Sequence, residues 1–132
     1  MSATFQERYE RARPSYVRIN DKRFADLPAG TTILIPSPRD IEHEINQLEP
    51  GEIVAPTELR RRLAAHHGTD GTCPVMTGVH LRIVAELALD RIDAGVPASL
   101  VAPFWQVIAP DSSLAQKLPG GPQRIAQLRN AI

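Results

Sequence analysis

Cysteine is almost missing from this chain: Cys73 stands alone, so no internal disulfide can form. Long apolar runs are missing too, and none approaches the ~20 residues a bilayer-crossing helix needs. No basic start followed by an apolar stretch of signal-peptide length opens the sequence. Membrane insertion and a disulfide scaffold are thereby excluded, and a cytoplasmic protein is expected. An excess of positive charge is lacking as well, since 15 basic side chains face 15 acidic ones. That balance excludes the global basic surface common among nucleic-acid binders, so any polyanion site has to be local.

Charge is nevertheless uneven along the chain. Residues 1–25 carry six basic and three acidic groups, residues 26–52 one basic and six acidic, and residues 53–132 eight basic and six acidic. Aromatics are scarce, yet Phe5, Tyr9, Tyr16 and Phe24 all lie in the first 24 residues. That is too many for a solvated tail, and it predicts an arm packed on the body or on a second subunit, or binding nucleic acid.

With 132 residues and 42% hydrophobic content, the chain has the size of one domain plus this arm. The expected division is an arm over 1–35, with a short helix and strands, and a body over 36–132. Thr4-Phe5-Gln6-Glu7 fits a capping box opening a short helix that Pro14 ends. Tyr16–Ile19 and Thr31–Ile35 read as short strands. Ser37-Pro38-Arg39-Asp40 is a stronger helix start, and Ile41, Ile45 and Leu48 recur at i, i+4, i+7, leaving Glu42, Glu44 and Glu49 to solvent. A further helix opens at Pro56 and ends near Gly68.

The longest helix-forming run is Thr77–Asp93. At about 100° per residue, Arg82, Glu86, Asp90 and Asp93 share one narrow stripe, and apolar side chains cover most of the remaining circumference. A helix so apolar is expected to be the buried axis, capped by Thr77 and stopped by Gly95 and Pro97. A polar loop over 68–76 precedes it, longer than the turn of a DNA-binding helix-turn-helix. Further on, Phe104–Ile108 reads as a strand, Pro110–Ser113 as a turn, and Gly120-Gly121-Pro122 as the opening of a last helix anchored by Ile125 and Leu128.

Gly51-Glu52-Ile53-Val54, the central helix, Pro103–Ile108, Asp111-Ser112-Ser113-Leu114, Gly120-Gly121 and Ala126-Gln127-Leu128 come in an order that resembles the C-terminal domain of alkylguanine-DNA alkyltransferases. Over about residues 36–130 the chain is most similar to their non-catalytic relatives, the alkyltransferase-like proteins. The resemblance implies a mainly α fold with short strands (α+β) of winged-helix type, which enters the minor groove of double-stranded DNA and flips an alkylated guanine in a DNA-repair setting. Where the family reads Pro-Cys-His-Arg-Val-Val, this chain has Pro103, Phe104, Trp105, Gln106, Val107 and Ile108. A phenyl ring cannot accept an alkyl group, and Trp105 cannot act as the base that makes a thiolate. Alkyl transfer at that position is excluded, and a non-enzyme is expected. Family binding residues are also replaced: a tyrosine falls at about Pro56, the intercalating arginine near Thr77, and the pocket tyrosine near Lys117 or Leu118.

The candidate DNA-binding residues are therefore Arg60, Arg61 and Arg62, which either hold phosphates or form a solvated helix face, and the first turn of the central helix. There Thr77, Gly78, His80 and Arg82, with the amides of Gly78 and Val79, offer something to an anion. Phe104 and Trp105 are candidate walls of a base pocket. Cys73 is either a reactive thiol or a small buried hydrophobe. His66, His67, Cys73 and His80 include zinc-ligand types at spacings that match no standard site, so neither metal nor other cofactor is expected. The alternative function is a protein-protein interaction module on the same scaffold that has lost DNA binding, with the arm making a homodimer or partner contact.

Overall fold

Local signals place most of the helices. In the computed structural model, which describes residues 3–131, Thr4 and Glu7 form the reciprocal capping box that starts α1 (Phe5–Arg11). Met1, Ser2 and Ile132, the outer ends of the two expected segments, lie outside the described residues. Ser37 accepts the Asp40 amide and Pro38 occupies the first position of α2 (Pro38–Asn46). Pro56 likewise starts α3 (Pro56–His67), and Gly68, at φ +69° in the left-handed region, ends it.

Three strands, β1 (Tyr16–Ile19), β2 (Thr32–Ile35) and β3 (Gly71–Thr72), form one sheet in that order. β1 runs antiparallel to β2, with Tyr16 opposite Ile35 and Ile19 opposite Thr32, whereas β3 is parallel to β2. The β2–β3 connection carries α2 and α3, the long crossover that a parallel pair requires. After β3 come α4 (Pro74–Asp93), 3-10 turns at Ala98–Leu100 and Phe104–Gln106, α5 (Ser113–Lys117) and α6 (Gly121–Asn130). The fold is thus mixed α+β, with six α-helices and a small three-stranded sheet among the described residues.

Central β2 is buried on both faces. Leu34 joins the main core of α2, α3, α4, the second 3-10 turn, α5 and α6, while Ile33 and Ile35 pack with Leu27, Cys73, Tyr16 and Met76. α4 is buried on more than one side as well: Leu81, Val84, Ala85, Ala88 and Leu89 face the main core, and Ile83 and Leu87 meet Tyr9 and Phe5 of α1. The Tyr9 hydroxyl donates to Glu42 at 2.6 Å. Burial and that carboxylate together push its pKa up to about 12. Two of the arm's four aromatics therefore pack against α4, and Tyr16 packs beside β2. No helix of the described residues is long and apolar enough to cross a membrane.

Several expectations are corrected. Phe104–Ile108 is not a strand: Phe104–Gln106 is a 3-10 turn, and both Phe104 and Trp105 are buried, whereas alternation along a strand would bury only one. Aromatic and β-branched residues signalled burial there, and among the described residues no neighbouring strand is present to hold an extended ladder. α4 begins at Pro74 rather than Thr77, which shortens the preceding loop. Proline is pre-set for the first helical position, and Thr77, already inside the first turn, donates its hydroxyl to the Cys73 carbonyl instead of capping. The expected turn at Pro110–Ser113 is present, but its Ser112 caps α5, a helix that the sequence pattern did not announce. Glu44, assigned to solvent, is buried where it meets His66 at 2.7 Å, and Glu86 of the polar stripe is buried beside Arg82 at 3.3 Å.

Candidate nucleic-acid interface

Each arginine of the α3 triad is held by acidic groups. Arg60 donates to the Thr72 carbonyl at 3.0 Å and to Asp26 at 2.8 Å. Arg61 makes a two-pronged pair with Glu58, both bonds 2.7 Å long, and Arg62 bridges Glu58 and Glu52, both at 2.9 Å. Three cations meet three carboxylates, so this helix face is locally neutral. A phosphate would have to displace Asp26, Glu52 or Glu58 to bind here.

The same contacts set a pH dependence. The Arg61 and Arg62 hydrogen bonds hold Glu58 down to about 2 from its ordinary 4.5, and arginine partners also lower Asp26 and Glu52. Because these folded-state values lie below the unfolded ones, the stabilisation is present above about pH 4.5 and is lost as pH falls toward 2. Denaturant midpoints should therefore fall as pH is lowered through that window. Glu58→Gln should make the fall shallower; an unchanged slope would mean that Glu58 is not ion-paired in solution.

At the start of α4 the arrangement differs from the expected one. With the helix opening at Pro74, Gly78 and Val79 lie past the first turn, and their amides belong to the helical ladder rather than to an anion. Thr77 is buried. His80 Nδ1 donates to the Pro36 carbonyl at 2.7 Å and so ties α4 to the approach to α2. Arg82 keeps an outward position despite its bond to Glu86, and its guanidinium sits 5.4 Å from the Phe5 ring centroid. Arg8 approaches the same ring at 5.3 Å, so one phenyl group holds two cations close together.

These cations edge a groove of about 350 Å³ lined by Arg8, Val75, Gly78, Val79, Arg82, Ser113, Leu114 and Lys117. Val75, Val79 and Arg82 recur at i, i+4 and i+7 on α4, and both valines are exposed. Arg8, Val75, Lys117 and the side chain of Val79 were not among the expected binding groups. The periodic signal was present, but Val75 falls on the helix only when the helix starts at Pro74.

Phe104 and Trp105 do not share a pocket wall. Phe104 is fully buried in the main core, edge-on to Trp105 with ring centroids 5.3 Å apart at 81°. Trp105 lines a separate groove of about 430 Å³, formed by Asn46, Leu48, Pro50, Val101, Leu128 and neighbouring residues, with no charged side chain among its walls. Its Nε1 is buried without a hydrogen-bond partner among the described residues. Cys73 is a buried free cysteine at the N-cap of α4. Among the described residues no group of His, Cys, Asp and Glu has the geometry to hold a metal ion. Neither a family model, nor a curated protein, nor a solved structure matches the chain.

Proposed function

We propose that the protein is a non-enzymatic DNA-binding protein of alkyltransferase-like type, a winged-helix-like body that grips duplex DNA at the start of α4 and recognises alkylated or damaged bases without alkyl transfer. The observation that carries this reading is the groove in which Arg8, Arg82 and Lys117 surround the exposed Val75 and Val79. Cations flanking aliphatic side chains suit a minor groove, where phosphates lie on both sides and apolar groups press between sugars and base steps. Gly78, with nothing within 4 Å of where a Cβ would stand, lets the helix backbone come close to a ligand. In this reading the DNA surface has moved from the α3 arginines to the junction of α1, α4 and α5. Phe104, at the family's cysteine position, supplies packing rather than chemistry.

The test is fluorescence anisotropy on duplexes with and without an alkylated guanine across a salt series. Three phosphate contacts should give a log–log slope of about −3, and Arg8→Ala and Lys117→Ala should each reduce it by about one. Arg61→Ala, whose guanidinium is closed on Glu58, should leave it unchanged. No affinity at low salt would sink the proposal. That outcome would favour the second reading, an interaction module without a DNA surface, which the neutralised Arg60–Arg62 face supports.

A further inference from the structure

β1 has a partner on one side only. It is the outer strand of the sheet, and β2 is its single neighbour. The Asn20 amide bonds the Thr31 carbonyl at 2.9 Å, so by alternation Arg18 and Tyr16 also turn their backbone groups toward β2. Val17 and Ile19 must turn theirs outward, and no backbone hydrogen bond within the described residues takes them up. Their side chains are 52% and 68% exposed, and Phe24 nearby is 40% exposed. A bare edge carrying aliphatic side chains is a template for another strand.

Charge indicates which strand. Between Arg13 and Arg23 the chain carries Arg13, Arg18, Lys22 and Arg23 against the single acid Asp21. None of these four cations has a carboxylate within 4.0 Å among the described residues, in contrast to the α3 triad. Arg13 is steadied over the Tyr16 ring at 3.9 Å, and a groove of about 470 Å³ lined by Arg18–Phe24 continues the strand.

We propose that the β1 edge docks an extended acidic segment of a partner protein, which adds to the sheet as a fourth strand. Its backbone would pair with the N–H and C=O groups of Val17 and Ile19, its apolar side chains would cover Val17 and Ile19, and its carboxylates would meet Arg13, Arg18, Lys22 and Arg23. A second copy of this chain fits less well, because β1 against β1 would bring like charges together across the pair. A nucleic acid would satisfy the cations but leave the Val17 and Ile19 backbone groups and side chains without partners. The site is independent of the α4 groove.

The probe is a labelled heptapeptide alternating Glu or Asp with Val or Ile, read by anisotropy and by amide exchange of the protein. Binding should slow exchange at Val17 and Ile19 by ~10-fold or more, while the buried amides of α4 are unaffected. Methylating alternate peptide amides, which deletes donors but keeps charge, should weaken binding ~10-fold or more, as should Arg18→Glu with Lys22→Glu. Both substitutions are at exposed positions. Equal binding by the methylated peptide, by a peptide with Lys in place of the acids, or by an oligonucleotide that protects the same amides would overturn the proposal. So would a dimer mass in light scattering with Val17 and Ile19 already protected. Arg8→Ala and Lys117→Ala should leave peptide binding intact, which separates this site from the DNA reading.

Discussion

Phe104→Ala should lower the unfolding free energy by about 3–5 kcal/mol, the range for deleting a buried aromatic side chain. Phe104 has no exposed surface and packs in the main core among side chains of α2, α3, α4, α5 and α6. Its edge-on contact with Trp105 adds about 0.5–1.5 kcal/mol beyond the area it buries. Against a total stability of about 5–15 kcal/mol, the loss leaves a marginal fold. Trp105 is the sole tryptophan, so its fluorescence reports the transition directly in a urea titration. A shift below about 1 kcal/mol would mean that the ring is not a core element. Phe104→Cys tests the proposed likeness in a second way: under that proposal the thiol would stand at the alkyltransferase nucleophile position, but buried and beside an indole. No mass gain is expected on incubation with an alkylguanine substrate, and alkylation of that cysteine would show that the site can activate a thiol.

Gln106→Leu should cost about 2 kcal/mol although it preserves volume, because the loss lies in hydrogen bonds rather than packing. The buried Gln106 side-chain amide donates to the carbonyls of Glu49 and Glu52, both at 2.7 Å, while the Gln106 backbone carbonyl, which a substitution leaves in place, accepts from the Val54 amide at 2.8 Å. One side chain thus pins the α2–α3 connection to the 3-10 turn. Gln106→Glu sharpens the test, since a carboxylate cannot donate to either carbonyl until it is protonated. The Glu variant should be the less stable of the two at pH 7 and should recover relative to Leu as pH falls toward 4. Equal stability of wild type and Leu variant would assign Gln106 a space-filling role only.

Both predictions concern residues of the Phe104–Gln106 segment, which under the proposed function stands at the Cys-His-Arg positions of the alkyltransferases. Their chemical consequence could be read from sequence, because a phenyl ring is no nucleophile in any conformation. Their structural role could not. Aromatic and β-branched residues at 104–108 predict burial and an extended strand with equal force, and only the surrounding helices, which leave no strand to pair with, select the 3-10 turn.

Sequence by itself determined where α1, α2 and α3 begin, that α3 and α4 end at glycines, that Tyr16–Ile19 is a strand and that position 104 lacks a nucleophile. Caps, prolines and glycines act within one turn of chain, so their physics is contained in a few adjacent residues. Tertiary structure decided the electrostatics. Glu58, three and four residues from Arg61 and Arg62, was within reach of a helical pattern. Arg60, however, is neutralised by Asp26, 34 residues away, and Arg62 is also held by Glu52, 10 residues away, so no local pattern could show the whole face to be neutral. The same long reach buried Glu44 against His66, brought Arg8 across to Arg82 at Phe5, and left the cations around β1 without carboxylate partners. Charge acts through space at distances that sequence separation does not measure. For that reason the α+β class and the helix starts were legible from the chain, and the candidate surfaces became legible only once it was folded.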